Sequence, residues 1–183
     1  MPGEEGTWVF IFGDLTVFAI LFGVFLYYRG QESAVFTSSQ RSLNEAFGLA
    51  NTLILLTSSL FVVTAVRAVR RGANVLAGRL IIGAMVCGLG FIVNKGFEYG
   101  QKVSHDLVPT TNEFFMYYYV MTGLHLLHVI IGMLLLALAF VLSRRPSLSD
   151  RQHGYLDGAA CFWHMVDLLW IVLFALLYLV HRS

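Results

Sequence analysis

Cys161-Phe162-Trp163-His164-Met165-Val166-Asp167-Leu168-Leu169-Trp170 opens an apolar run that reaches Val180, and it sets an imidazole and a carboxylate inside that run. On a helix, His164 and Asp167 are three residues apart and project from nearly the same face. Placing an ionisable group in hydrocarbon costs at least ~2.5 kcal/mol by the lower estimates. That face is therefore expected to pack against something polar. Upstream, Asp157 and Cys161 continue the same line at intervals of three and four residues, giving one polar stripe down a greasy helix.

The rest of the chain has the composition such a helix requires. Its 183 residues are 57% hydrophobic and only 13% charged, where a soluble domain carries about 25% charged residues. This is an integral membrane protein. A net charge of +1 gives no basic face for a nucleic-acid partner. The acidic start Met1-Pro2-Gly3-Glu4-Glu5 and the long first apolar run do not resemble a cleavable signal. Cys87 and Cys161 lie far apart in apolar runs, with no metal-binding spacing, and read as buried thiols. Five segments reach the roughly 20 residues needed to cross a bilayer, over 7–28, 46–67, 79–101, 114–142 and 157–181. The expected fold is all-α: one polytopic membrane domain over 1–183, a bundle of five transmembrane helices. Short connections make consecutive spans antiparallel neighbours. Arg67, Arg70, Arg71 and Arg79 gather in one loop, and Arg144, Arg145 and Arg151 in another. The opposite side has Arg29, Arg41, Lys102 and Arg182. The positive-inside rule then puts the N-terminus in the cytoplasm and the C-terminus outside.

Several polar residues inside the spans need partners. Asp14 is the one charge in the first span and sits about 10 Å along its axis, out of easy reach of water. It is a candidate proton-uptake carboxylate or a neutral acid bonded within the bundle. Asn44 and Glu45 form a capping stretch, and Asn51 wants a defined partner among small hydroxylated residues. Lys95, Glu98 and Lys102 are spaced for a local ion pair, as at an anchored helix end, and Gly96 and Gly100 form a GxxxG that favours close helix approach. His105 and Asp106 read as a solvated loop pair, and Tyr117-Tyr118-Tyr119 as an interfacial aromatic belt. His125 and His128 are one turn apart. They suit bonding within the bundle or to a partner, or, with His164, ligation of a haem. The residues alone leave three readings open: a non-catalytic subunit, a b-type haem-binding cytochrome, or a small transporter using Asp14 and Glu98.

Two stretches resemble a known family. Thr122-Gly123-Leu124-His125-Leu126-Leu127-His128-Val129-Ile130-Ile131-Gly132 is similar to TGxHxxHVxxG, and Trp163-His164-Met165-Val166-Asp167-Leu168-Leu169-Trp170 to WHFVDxxW, of subunit III of cytochrome c oxidase. Glu98-Tyr99, the surroundings of Asn51, and His153-Gly154-Tyr155-Leu156-Asp157 add weaker likeness, with Asp157 where that family has Glu. The match is to the last five helices of subunit III, in the haem–copper oxidase superfamily.

The resemblance implies an accessory subunit of a respiratory oxidase in a prokaryotic plasma membrane, not itself catalytic. It implies that this chain holds no metal and no cofactor beyond phospholipid. Haem and copper would reside in a partner, subunit I, which it would pack against while supporting proton uptake and active-site durability. Glu98, His125, His128, Asp157, His164 and Asp167 would form an intramembrane polar network or contact partner and lipid. Asp14 matches the position of the family's carbodiimide-reactive Glu. Short five-helix forms also accompany nitric oxide reductases in denitrification, and the resemblance covers that alternative equally.

Overall fold

A computed structural model describes residues 5–40, 43, 45–104, 106, 109–145 and 148–179. Arg41, Asn44 with its capping role, His105, Arg182 and the end of the last expected span, 180–181, lie outside the described residues. Every element among the described residues is helical: α1 (Glu5–Gln31), α2 (Ser33–Gln40), α3 (Glu45–Arg70), α4 (Asn74–Ser104), α5 (Glu113–Ser143) and α6 (Asp150–Phe174), which runs on into a π-helical turn, Ala175–Leu179. Five of the helices are long and apolar enough to cross a membrane.

The helix ends follow from local sequence. Gly72 takes a left-handed φ of 73°, which lets Ala73 N–H reach Ala68 O and Gly72 N–H reach Val69 O, both at 2.9 Å. This paired closure satisfies the last carbonyls of α3 and reverses the chain into α4. Asn112 caps α5 by accepting from Phe115 N–H at 3.0 Å. Ser149 and Gln152 cap α6 reciprocally, each side chain bonding the other's backbone N–H.

α3, α4, α5 and α6 form a four-helix core in which each packs on the next, with α6 returning to α3. Two indoles of the quoted stretch close that return. Trp163 Nε1–H donates to Ser58 Oγ at 3.1 Å, and Trp170 Nε1–H donates to Thr52 Oγ1 at 3.1 Å. The Trp163 ring is wedged where two helices carry glycine. A Cβ on Gly88 of α4 would stand 3.0 Å from the ring, and one on Gly132 of α5 would stand 2.7 Å from it.

α1 departs from the expected neighbour order. It packs on α5 and α6, not on α3, the next span in sequence. The cause is α2, which carries the chain across the end of the bundle. Its Phe36 ring lies 5.4 Å from Phe25 and 5.6 Å from Phe114, and Gln40 Nε2–H donates to Leu176 O at 3.0 Å. A gap therefore opens between α1 and α3 with α6 at its floor.

Candidate functional site

Burial of charge is concentrated on α4. Lys95, Glu98 and Lys102 lie on its inward face with side chains only 1, 2 and 6% exposed. Lys95 Nζ donates to Glu98 Oε2 at 2.7 Å and to Tyr118 OH at 3.0 Å, and Lys102 Nζ stands 3.5 Å from Glu98 Oε1. Tyr118 and Tyr178 hydroxyls both donate to Glu98 Oε1. Lys95 Nζ also lies 5.0 Å from the ring centres of Tyr118 and Trp170, a favourable place for a cation. This is a caged charge cluster and not the anchored helix end that the i, i+3, i+4 spacing suggests. Tyr118 is correspondingly withdrawn from the expected aromatic belt into the core.

Asp14 has a partner. Its Oδ1 lies 2.9 Å from His128 Nε2, while His128 Nδ1 is bonded to Leu124 O at 2.7 Å. Both ring nitrogens of His128 are thus engaged. Asp14 Oδ2 is buried without a bond. Although one turn away, His125 belongs elsewhere: its Nε2 meets Val166 O at 2.9 Å, and its ring sits between Phe91 and Trp170.

The stripe on α6 divides. Asp157 takes a bidentate bond from Arg70 Nη2, at 2.9 and 2.8 Å, at the end of the bundle. Seven residues further in, His164 Nδ1 shares a short hydrogen bond with Ser59 Oγ of α3. Asp167 is buried beside Ser59, and neither carboxylate oxygen closes a hydrogen bond. The six residues expected as one network occupy five separate places, because α6 presents its polar face to α3 while His128 turns to α1. Asn51 finds its partner in Asn94, whose amide donates to Asn51 Oδ1 at 2.7 Å. Gly96 and Gly100 approach nothing: a Cβ on either would meet no atom within 4 Å. The GxxxG faces outward, since α4 turns its neighbouring face, through Phe91, Lys95 and Glu98, to the core.

Residue reading missed Tyr118, Tyr178, Ser59 and Arg70 as partners. Each belongs to a different helix from the group it serves, and none carries a local signal. Among the described residues no three His, Cys, Asp or Glu side chains gather as a metal site.

The motif residues His125, His128, Trp163 and Trp170 are thus interior, bonded or wedged between helices. The sequence family that matches residues 4–181 is cytochrome c oxidase subunit III. This chain belongs to that family. It is 33% identical over 180 residues to cytochrome c oxidase subunit 3 of Thermostichus vulcanus, covering 97% of this chain and 87% of that one. To cytochrome c oxidase subunit 3 of Synechocystis sp. it is 31% identical over 176 residues, covering 96% and 74%. The probable cytochrome c oxidase subunit 3 of Mycobacterium leprae is 29% identical over 177 residues, covering 96% and 86%. In this subunit III-family chain the two long motifs meet across the α5–α6 contact, where His125 reaches the backbone of Val166.

Proposed function

We propose that this chain is a non-catalytic accessory subunit of a haem–copper respiratory oxidase. It packs on the haem- and copper-bearing subunit I in a prokaryotic plasma membrane, with its N-terminus in the cytoplasm. The observation that carries this reading is the subunit III match over residues 4–181, with the motif histidines engaged inside the chain. A b-type cytochrome would need His164 paired with His125 or His128. His128 has no free ring nitrogen, and His125 offers only Nδ1, which is sealed in the core. No observation favours the transporter or the nitric oxide reductase association.

Asp14 with His128 is the carboxylate–imidazole pair we assign to proton uptake. A carboxylate held against an imidazole inside a span can exchange a proton with little movement, as intramembrane relays do. The open apolar groove between α1, α5 and α6, about 410 Å³ and walled by Phe10, Leu135 and Phe162, suits a phospholipid acyl chain.

Purification of the tagged chain from its native membrane in mild detergent tests the oxidase assignment. Haem is expected only with a large co-purifying subunit, and the chain expressed alone is expected to be colourless. A Soret band on the lone chain would overturn the reading. A partner whose haems are those of a nitric oxide reductase would move the chain to denitrification.

A further inference from the structure

The outward strip of α6 lies in the gap between α1 and α3. On the α1 side, Phe162 meets Phe10, ring centres 6.0 Å apart, and a Cβ on Gly158 would stand 3.3 Å from Thr7 Oγ1. On the α3 side stand the Ser59–His164 and Arg70–Asp157 contacts. Between them Leu168 and Ile171 are 54% and 38% exposed. Beside this strip α3 and α6 enclose a groove of about 270 Å³, with Val63, Val66 and Ala160 as its apolar wall. Arg67 and His164 also line it. Among the described residues Arg67 enters no ion pair.

His164 Nδ1 is satisfied by Ser59, but Nε2 has no partner among the described residues and is not sealed in the core. Whichever tautomer is present, Nε2 holds an unused donor or acceptor. Its level is that of Ser59, eight residues or about 12 Å of helix from Arg67. Polar atoms of a lipid end about 5–8 Å below the membrane surface, given a ~30 Å hydrocarbon core in a 40–45 Å bilayer. A lipid seated on Arg67 would lay only acyl chain over Nε2. An unsatisfied ring nitrogen in hydrocarbon is costly, so its partner is a protein side chain.

We infer that the α3–α6 groove and the adjoining α6 strip are the docking face for a transmembrane helix of a partner subunit. That helix brings a hydrogen-bonding side chain to His164 Nε2 and an acidic side chain towards Arg67. The inference rests on the oxidase-subunit reading and names the face through which the chain joins the complex.

The test uses the intact complex in native membranes, with p-benzoylphenylalanine placed at Leu168. Illumination is expected to join this chain to the haem-bearing subunit, identified by mass spectrometry. A cross-link to lipid alone, in a preparation that still contains both subunits, overturns the docking face and leaves the oxidase reading standing. Absence of any haem protein from the preparation removes that reading and the inference together. Side-chain chemistry is read separately by detergent titration. His164→Leu is expected to lower retention of this chain about tenfold, as loss of one intramembrane hydrogen bond allows, while His164→Gln stays within about threefold. Equal losses, or none for His164→Leu, overturn the assigned bond.

Discussion

Lys95, Glu98 and Lys102 place three charges within two turns of α4, all buried among aromatic rings. Among the described residues Glu98 is the only carboxylate paired with the two ammonium groups in this cluster. Removing one member of a buried ion pair is far more damaging than replacing the pair with apolar groups. Glu98→Gln is therefore expected to destabilise the purified protein by about 3 kcal/mol, seen as an early melt of helical circular dichroism in detergent. Adding Lys95→Met should recover part of that loss, because it removes one of the two stranded cations. A double variant less stable than Glu98→Gln alone would sink the argument. The ion pair itself was legible from the i, i+3 spacing of Lys95 and Glu98. Its burial was not, because Tyr118 and Tyr178 arrive from 20 and 80 positions further along the chain. Asp14 was similarly legible as a buried carboxylate, but His128, 114 positions away, could not be assigned to it.

Helix contacts in this molecule are set by where small residues face. Trp163 is held between Gly88 and Gly132, so the ring has no room to retreat from a new methyl group. Alanine is better than glycine in a helix by about 1 kcal/mol, whereas overpacking a core costs about 1–3 kcal/mol. At Gly132 the second effect wins, because a Cβ would lie 2.7 Å from a rigid ring carbon. Gly132→Ala is expected to lower the melting temperature, and Gly96→Ala to leave it unchanged or raise it. The reverse order in the same detergent would mean that the GxxxG, not the Trp163 wedge, makes the close contact. Five spans and the all-helical class were legible, since each follows from a long apolar run. The direction each face takes was not. GxxxG spacing says that Gly96 and Gly100 share a side of α4, but only the packing of Phe91, Lys95 and Glu98 against other helices turns that side outward.

The whole molecule divides into a four-helix core and a helix laid against it. α1 buries Ile11, Phe18 and Phe25, seven residues apart, and leaves Val9, Phe12 and Ile20 outward. Its contacts run to α5, α6 and α2, and in the middle of the membrane the Asp14–His128 pair is the polar tie. Hydrogen bonds between transmembrane helices contribute about 0.6 kcal/mol and at most ~2, so losing this tie lowers the margin of α1 over local opening by no more than that. Asp14→Ala removes the tie and leaves His128 Nε2 without its partner. The expected result is faster amide exchange along α1, by up to about tenfold, with α3, α4 and α6 unchanged because none of them carries a member of this pair. Hydrogen–deuterium exchange read by mass spectrometry on the purified protein separates the two regions by peptide. Acceleration spread evenly over all five spans would instead make α1 part of the same cooperative unit as the core. Asp14 would then stabilise the whole bundle, and the gap between α1 and α3 would be a fixed feature of it.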